Sequence, residues 1–288
     1  MLKAMSMGFI GILPYMVALF GLWMIYKVLH DRITHYDDDG EIKAHNEAAG
    51  INRAGAYVGI GIAASGSLIG SDLGFWADLG MFILDGLAAI LVFTVAKFVM
   101  DWVILHQVRN IDQVAAGNKA VAMVEAFSMV SLGIIGCASF SGGGQNVWAG
   151  LGSATLFSSF GVILLASVYW LFSLVYRLQY KCSVSGEIES GNTAMAKEVG
   201  GMLLAMSIAL WFSISGDFTG WVDDIVYFLI AAISSMASVL LAWFLSGRLL
   251  TRTPSVVDGV HQHNDAAAIL KMGAMVAFGL TAGLVTFS

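Results

Sequence analysis

Four charged side chains fall inside predicted membrane-spanning helices, where they could do chemistry. Arg53, Glu125 and Lys271 each follow an asparagine by seven residues, and Glu198 follows one by six. At 1.5 Å per residue they lie roughly 10 Å into their helices. Ionisable groups at such depth usually face other helices, paired or lining a wet cavity. Three interpretations stay open: interhelical salt bridges, a hydrated path for a polar solute, or snorkelling of basic side chains toward headgroups, for which Lys197 is also suited.

Three more charges lie on the third predicted span. Lys97 and Asp101 are four residues apart, so they can pair on one helical face. Asp85 has no obvious local partner, and an unpaired carboxylate there would bind a cation or hold a proton. It is the best single candidate for a functional residue, unless it lies close to the outer headgroups.

An asparagine stands at the start of each of four spans. The four are spaced 72, 74 and 72 residues apart: Asn46, Asn118, Asn192 and Asn264. Asparagine is a favoured N-cap, because its side-chain oxygen accepts a hydrogen bond from a free backbone N–H of the first turn. The alternative is that four amides, brought round one axis, bind a solute or ion at a cytoplasmic mouth.

The remaining polar residues predict neither an enzyme nor a cofactor site. Nucleophile elbows, phosphate loops and HExxH motifs are absent from the sequence. No basic cluster with interleaved aromatics occurs, which excludes nucleic acid as a partner. A metal site would need the first and last copies to meet, so we expect solvated loop histidines and no metal at His30, His35, His45, His106, His261 and His263.

The composition identifies the elements that position these residues. Of 288 residues, 58% are apolar and 12% are charged, whereas soluble domains carry about 25% charge. Stretches of about 20 apolar residues predict membrane helices, and hydrocarbon leaves only helices or closed barrels. We therefore predict an all-α polytopic bundle with about eight spans, at 8–29, 51–71, 79–105, 120–140, 156–176, 194–214, 225–245 and 266–287.

Orientation follows from the basic residues, which are enriched in cytoplasmic connections. Thirteen of the 14 Lys and Arg residues lie on or toward the connections after odd-numbered spans, and Lys3 is the exception. The opposite connections carry no basic residue but five aspartates: Asp72, Asp78, Asp217, Asp223 and Asp224. Both termini are predicted to lie outside the cytoplasm.

Similarity around the asparagines continues into the helices and predicts an internal repeat. Small residues recur four and fifteen positions later, on nearly one helical face, and such stripes allow close helix packing. They are Gly50, Ala122, Ala196 and Ala268, then Gly61, Gly133, Ser207 and Gly279. We predict four two-helix repeats of the same topology at 1–72, 73–145, 146–217 and 218–288, within two pseudo-symmetric halves, 1–145 and 146–288.

One sequence motif resembles that of the domain of unknown function 350 family of bacterial membrane proteins. The motif is an acidic and an aliphatic residue followed by G-N-x-A, at the start of a glycine-rich span. Glu187-Ile188 with Gly191-Asn192-Thr193-Ala194 carry the match, and Ile111-Asp112 with Gly117-Asn118-Lys119-Ala120 carry it less fully. His45 and His263 replace the glycine. Members are built from paired two-span copies, so the chain resembles a doubled member. The resemblance implies a bacterial inner-membrane location and an association with ion channels and polyamine-related enzymes.

Two functions from different classes fit these features. The first is a channel- or transporter-like path for a small cation or polyamine-like solute, since an acidic outer face raises the local cation concentration. The second is a non-conducting scaffold or partner subunit, whose glycine stripes pack against a second copy or another membrane protein.

Overall fold

Long helices dominate the structure. The computed structural model describes residues 2–34, 37–69, 74–103, 110–141, 147–215, 220–249 and 263–287, and within these ranges no strand occurs. Eight helices coincide with the eight predicted spans, and seven of them are long and apolar enough to cross a membrane. The chain is an all-α, multi-pass membrane helix bundle, as predicted.

The described part of the chain contains eight long helices and three short ones. The long ones are α1 (Leu2–Ile33), α3 (Glu47–Ala64), α4 (Phe75–Val103), α6 (Lys119–Ser141), α7 (Val147–Tyr180), α9 (Thr193–Ile214), α10 (Trp221–Leu249) and α11 (Asp265–Phe287). Three six-residue helices precede α3, α6 and α9: α2 (Asp38–Lys43), α5 (Asn110–Ala115) and α8 (Val184–Glu189). A 3-10 helix, Ser65–Leu68, continues α3.

Four of the long helices form a central row in chain order. Helix α3 packs on α6, α6 on α9, and α9 on α11, so that α3 and α11 are the two ends of the row. The other long helices form a second layer, with α4, α7 and α10 each packed against two neighbouring members of the row. The asparagines at the row's helix starts are therefore arranged in a line, which differs from the expected arrangement round one axis.

Glycines allow the row helices to touch through their backbones. A Cβ added at Gly55 of α3 would lie 2.3 Å from Ala126 Cα of α6, and one added at Gly133 would lie 2.4 Å from Gly59 O. Such distances are shorter than any van der Waals contact, so only glycine fits. The close approach is what small-residue stripes permit between membrane helices.

The outward surface is apolar, as contact with lipid requires. Many large side chains of the second layer are exposed. The exposed fractions are 71% for Val17 of α1, 66% for Leu91 of α4 and 75% for Val222 of α10. The three predicted repeat boundaries fall at 72/73, 145/146 and 217/218, outside the described residues. The division into four repeats stays a prediction.

Candidate functional site

All four asparagines cap their helices. Each side-chain oxygen accepts a hydrogen bond from a backbone N–H two or three residues later, at 3.0 to 3.3 Å. The acceptors are Asn46, Asn118, Asn192 and Asn264. Because these oxygens satisfy free N–H groups of the first turn, they fix where each row helix begins.

The amide nitrogens of the first two asparagines bind the short helix that precedes the next row helix. Asn46 Nδ2 donates to Val114 O at 3.0 Å and to Ala115 O at 3.2 Å, the last carbonyls of α5. Asn118 Nδ2 donates in the same way to Ile188 O and Glu189 O of α8, at 3.3 and 2.9 Å. Both amides are therefore engaged within the protein, and they join each row helix to the short helix that precedes the next.

The residue before each asparagine has a left-handed backbone. The φ angles are 59° at His45, 85° at Gly117, 87° at Gly191 and 60° at His263. Glycine adopts this region freely, and histidine is one of the few other residues enriched there. The two histidines thus keep the turn that glycine provides before Asn118 and Asn192.

The four deep charges are nearly inaccessible. Exposed fractions are 6% for Arg53, 2% for Glu125, 1% for Glu198 and 4% for Lys271. Lys271 Nζ donates to Glu198 Oε1 at 2.5 Å, which makes an ion pair between α11 and α9. This contact has the form of the interhelical salt bridge considered from sequence.

In the first half of the chain, a different pair of side chains lies at the same distance from the helix starts. Asn52 Nδ2 of α3 donates to Glu125 Oε2 of α6. Asn52 and Glu198 each lie six residues after their asparagine, while Glu125 and Lys271 each lie seven after theirs. Sequence reasoning missed Asn52, although its position six after Asn46 was a usable signal. At the α6–α9 junction these two positions carry valines, Val124 and Val199.

Arg53 turns away from this pair toward α1. Its Nη2 lies 2.9 Å from His30 Nδ1 and 3.8 Å from Asp31 Oδ1. The guanidinium also lies 5.2 Å from the ring centre of Tyr26 and 5.7 Å from that of Tyr57, distances typical of cation–π contacts. Arg53 therefore fastens the C-terminal end of α1 to the row.

The expectation that all six histidines are solvated is wrong for His30, which is only 4% exposed. Its ring lies 5.7 Å from that of Tyr26, four residues earlier on the same face of α1, and this i,i+4 spacing was the missed signal. His45 and His263 are exposed. His35, His106 and His261 lie outside the described residues.

Asp85 of α4 is also buried, at 5% exposure. Its carboxylate accepts hydrogen bonds from the hydroxyl and the backbone N–H of Ser67, in the 3-10 helix after α3. Ser67 is thus the partner that the sequence did not reveal, because it comes from a neighbouring helix. The predicted pairing of Lys97 with Asp101 concerns side chains outside the described part of α4.

Ion pairs between neighbouring helix starts complete the polar end of the row. Lys119 of α6 pairs with Glu47 of α3. Lys197 Nζ of α9 lies 2.6 Å from Asp265 Oδ1 of α11, which also accepts a hydrogen bond from Thr193 at 2.8 Å. Lys197, expected to snorkel, is held by this partner. Both pairs join helices within one half of the chain.

The described polar groups do not form a metal centre. Among these residues, no group of three or more His, Cys, Asp or Glu side chains converges. A void beside the row is lined by apolar groups that include Ala63, Phe93, Leu132 and Ile135. The arrangement joins helices to one another by hydrogen bonds and ion pairs.

Comparisons with known proteins agree with a membrane protein. The chain is 21% identical over 185 residues to a protein described as "UPF0719 transmembrane protein" of Aquifex aeolicus (strain VF5). That alignment covers 62% of this chain and 66% of the relative, which is just under two thirds of the relative's length. No solved structure matches the chain. The family described as Domain of Unknown Function (DUF350) matches twice, at residues 4–140 and 146–285. Because the two matches together span almost the whole sequence, the chain belongs to this family as a doubled member.

Proposed function

We propose that the chain is a non-conducting, non-enzymatic membrane scaffold that associates laterally with a second copy of itself. The observation that carries this proposal is the backbone contact between row helices. A Cβ at Gly279 of α11 would lie 2.3 Å from Ala205 O of α9, matching the contact of Gly133 with Gly59 O in the first half. Helices this close leave no room for a solute between them, so the row suits a rigid plate better than a pore.

The edge of the row at α11 is the surface for the second copy. In α3 and α9, the residues nine and thirteen after the asparagine face the next row helix, as the contacts of Gly55, Gly59 and Gly201 show. The same positions of α11 hold Gly273 and Ala277, and no atom lies within 4 Å of a Cβ built at Gly273.

A second α11 fits this edge because the small-xxx-small spacing of Gly273 and Ala277 supports parallel packing of membrane helices. A dimer of this kind has its two-fold axis along the membrane normal, with the same face used by both chains. Helix α1, at the other end of the second layer, exposes many large apolar residues in its described part, such as Val17 and Phe20, which suit lipid.

Disulfide formation in native membranes tests the proposal. Both native cysteines, Cys137 and Cys182, are free and are first replaced by alanine. In that background Ala277→Cys is expected to give a disulfide-linked dimer on mild oxidation, since paired Cα atoms must lie within about 7 Å. Val17→Cys on α1 is the matched control and should stay monomeric. Absence of the Ala277→Cys dimer, or equal dimer at both positions, contradicts the proposal.

A path for a small cation or polyamine is the second candidate function. It is favoured by Glu125, a buried carboxylate opposed by a neutral amide, together with the acidic residues Asp78, Asp223 and Asp224 at the opposite ends of the helices. Reconstituted liposomes separate the two candidates. Cation or polyamine flux that is lost in Glu125→Gln would support the path, whereas the scaffold predicts no flux above that of empty vesicles.

A further inference from the structure

A stripe of exposed side chains runs along helix α10 and ends in an arginine. Its members are three or four residues apart, so they share one face of the helix. They are Val226, Ile230, Ile233, Ala237, Leu241, Phe244 and Arg248, here called the α10 stripe. Because the stripe is exposed and apolar up to its last member, and α10 is long and apolar enough to cross a membrane, this face contacts the acyl chains of the bilayer.

Arg248 is held against an aromatic ring of the same stripe. Its guanidinium carbon lies 4.0 Å from the ring centre of Phe244, which is a cation–π distance. The ring covers one face of the guanidinium plane, whereas the N–H donors lie at the edge of that plane. No carboxylate of the described residues forms an ion pair with Arg248. Its donors are therefore available to an anion from outside the described protein.

The charges on the helices packed against α10 are already balanced. Helix α10 packs on α9 and α11. The lysines of these two helices each have a carboxylate partner, Lys197 with Asp265 and Lys271 with Glu198. The acids of α10 itself, Asp223 and Asp224, lie in its first turn, at the opposite end of the helix from the arginine. The positive charge at the end of the α10 stripe is thus uncompensated among the described residues.

Two other helices of the second layer carry the same feature. Exposed apolar residues at helical spacing lead to an arginine on α7 and on α1: Ile163, Trp170, Leu174 and Arg177, then Val17, Met24, Val28 and Arg32. Neither arginine has an ion-pair partner in the described part of the chain. On α1 the side chains form a groove, in which Met24, Ile25, Val28 and Leu29 are followed by Arg32. An apolar groove that ends in a cation fits an acyl chain with an anionic headgroup.

We propose that the α10 stripe binds an anionic phospholipid, with the headgroup phosphate at Arg248 and an acyl chain along Leu241 and Phe244. A guanidinium offers parallel N–H donors that match two phosphate oxygens, and this makes the contact stronger and more directional than one to an ammonium group. Lipid of some kind already contacts this face, so the arginine selects among headgroups. A zwitterionic lipid neutralises its phosphate with its own cation, whereas an anionic lipid does not. Binding of this lipid does not rest on lateral association through α11.

A local fluorophore measures which lipid occupies the stripe. Leu241→Cys is introduced into the full-length variant without Cys137 and Cys182, labelled with a small fluorophore, and reconstituted into mixed vesicles in which either phosphatidylglycerol or phosphatidylcholine carries brominated chains. Brominated phosphatidylglycerol should quench as strongly as an about fivefold higher mole fraction of brominated phosphatidylcholine, the preference expected from one basic residue at the membrane surface. A reporter at Ile163→Cys, 14 residues before Arg177 on α7, should show no preference.

Three variants separate the stacked guanidinium from positive charge in general. Arg248→Gln should abolish the preference at Leu241, and Phe244→Leu should reduce it, because the ring that orients the guanidinium is lost. Lys43→Gln is the matched control, since it removes one charge from an exposed residue of α2 and should leave the preference unchanged. Inorganic phosphate added to the wild-type stripe should not compete, because it lacks the acyl chain.

Equal quenching by the two lipids overturns the proposal. So does a preference that persists in Arg248→Gln, that stays in full in Phe244→Leu, or that disappears in Lys43→Gln or with inorganic phosphate. If neither lipid quenches the reporter, protein covers the stripe and the proposal is wrong as well. Lateral association is judged separately by the crosslinking of Ala277→Cys, so either proposal can fail while the other stands.

Discussion

Lys271 and Glu198 show how a single contact ties two helices of this protein together. Both side chains are almost fully buried, and each charge depends on the other. Removing one partner leaves an unpaired buried charge, whereas replacing both by apolar residues of similar size is often neutral. The pair therefore sets register more than it adds stability.

A double-mutant cycle measures this dependence. Lys271→Met alone should lower the free energy of unfolding by about 3 kcal/mol, because the buried carboxyl group of Glu198 loses its partner. Combining it with Glu198→Leu should restore most of the loss. Thermal stability in detergent is the readout, and two additive losses would contradict a coupled pair.

At the scale of the element, backbone contact between helices depends on particular glycines. Gly59 of α3 has Met129 O of α6 at 2.5 Å from the position of an added Cβ, whereas Gly50, on the same helix, has nothing within 4 Å. The same substitution should therefore have opposite consequences at the two positions, and only Gly50 belongs to the small-residue stripe predicted from the sequence.

Gly59→Ile should prevent α3 from packing on α6, because the side chain would overlap backbone atoms that cannot move aside. Gly50→Ile should be tolerated. The yield of monodisperse protein after detergent extraction distinguishes the two variants. Equal yields would show that the row does not require the close approach.

The spans were predictable because a membrane helix needs only length and apolar character. The short helices α2, α5 and α8 were not, since six residues are too few to form a stable helix without tertiary support. For α5 and α8 that support includes the amides of Asn46 and Asn118. The spacing also revealed the repeated asparagine. It did not reveal whether the four helices form a closed ring or a row, because that depends on the angle between successive helices.

For the molecule as a whole, the row implies that all four asparagine ends face the same side of the membrane. Each pair of successive row helices is separated by one helix of the second layer, α4, α7 or α10. From the positive-inside rule we predict that the asparagine ends lie in the cytoplasm and that both chain termini lie outside it.

Labelling of single cysteines checks this topology in the variant without Cys137 and Cys182. Ala44→Cys, Ala116→Cys and Ser190→Cys lie in exposed turns before α3, α6 and α9. They should react with a membrane-impermeant maleimide only after the cells are permeabilised. Ala77→Cys, near the start of α4, should react in intact cells. Labelling of the three turns on different faces would contradict the common orientation.

The central claim is that the α11 edge of the row joins two copies in the membrane. Native mass measurement in lipid discs tests it directly, comparing wild type with Gly273→Ile, which fills that edge without touching the chain's own core. The account predicts twice the mass of one chain for the wild type and a single chain for Gly273→Ile. A monomeric wild type, or a Gly273→Ile protein that stays dimeric, would contradict it.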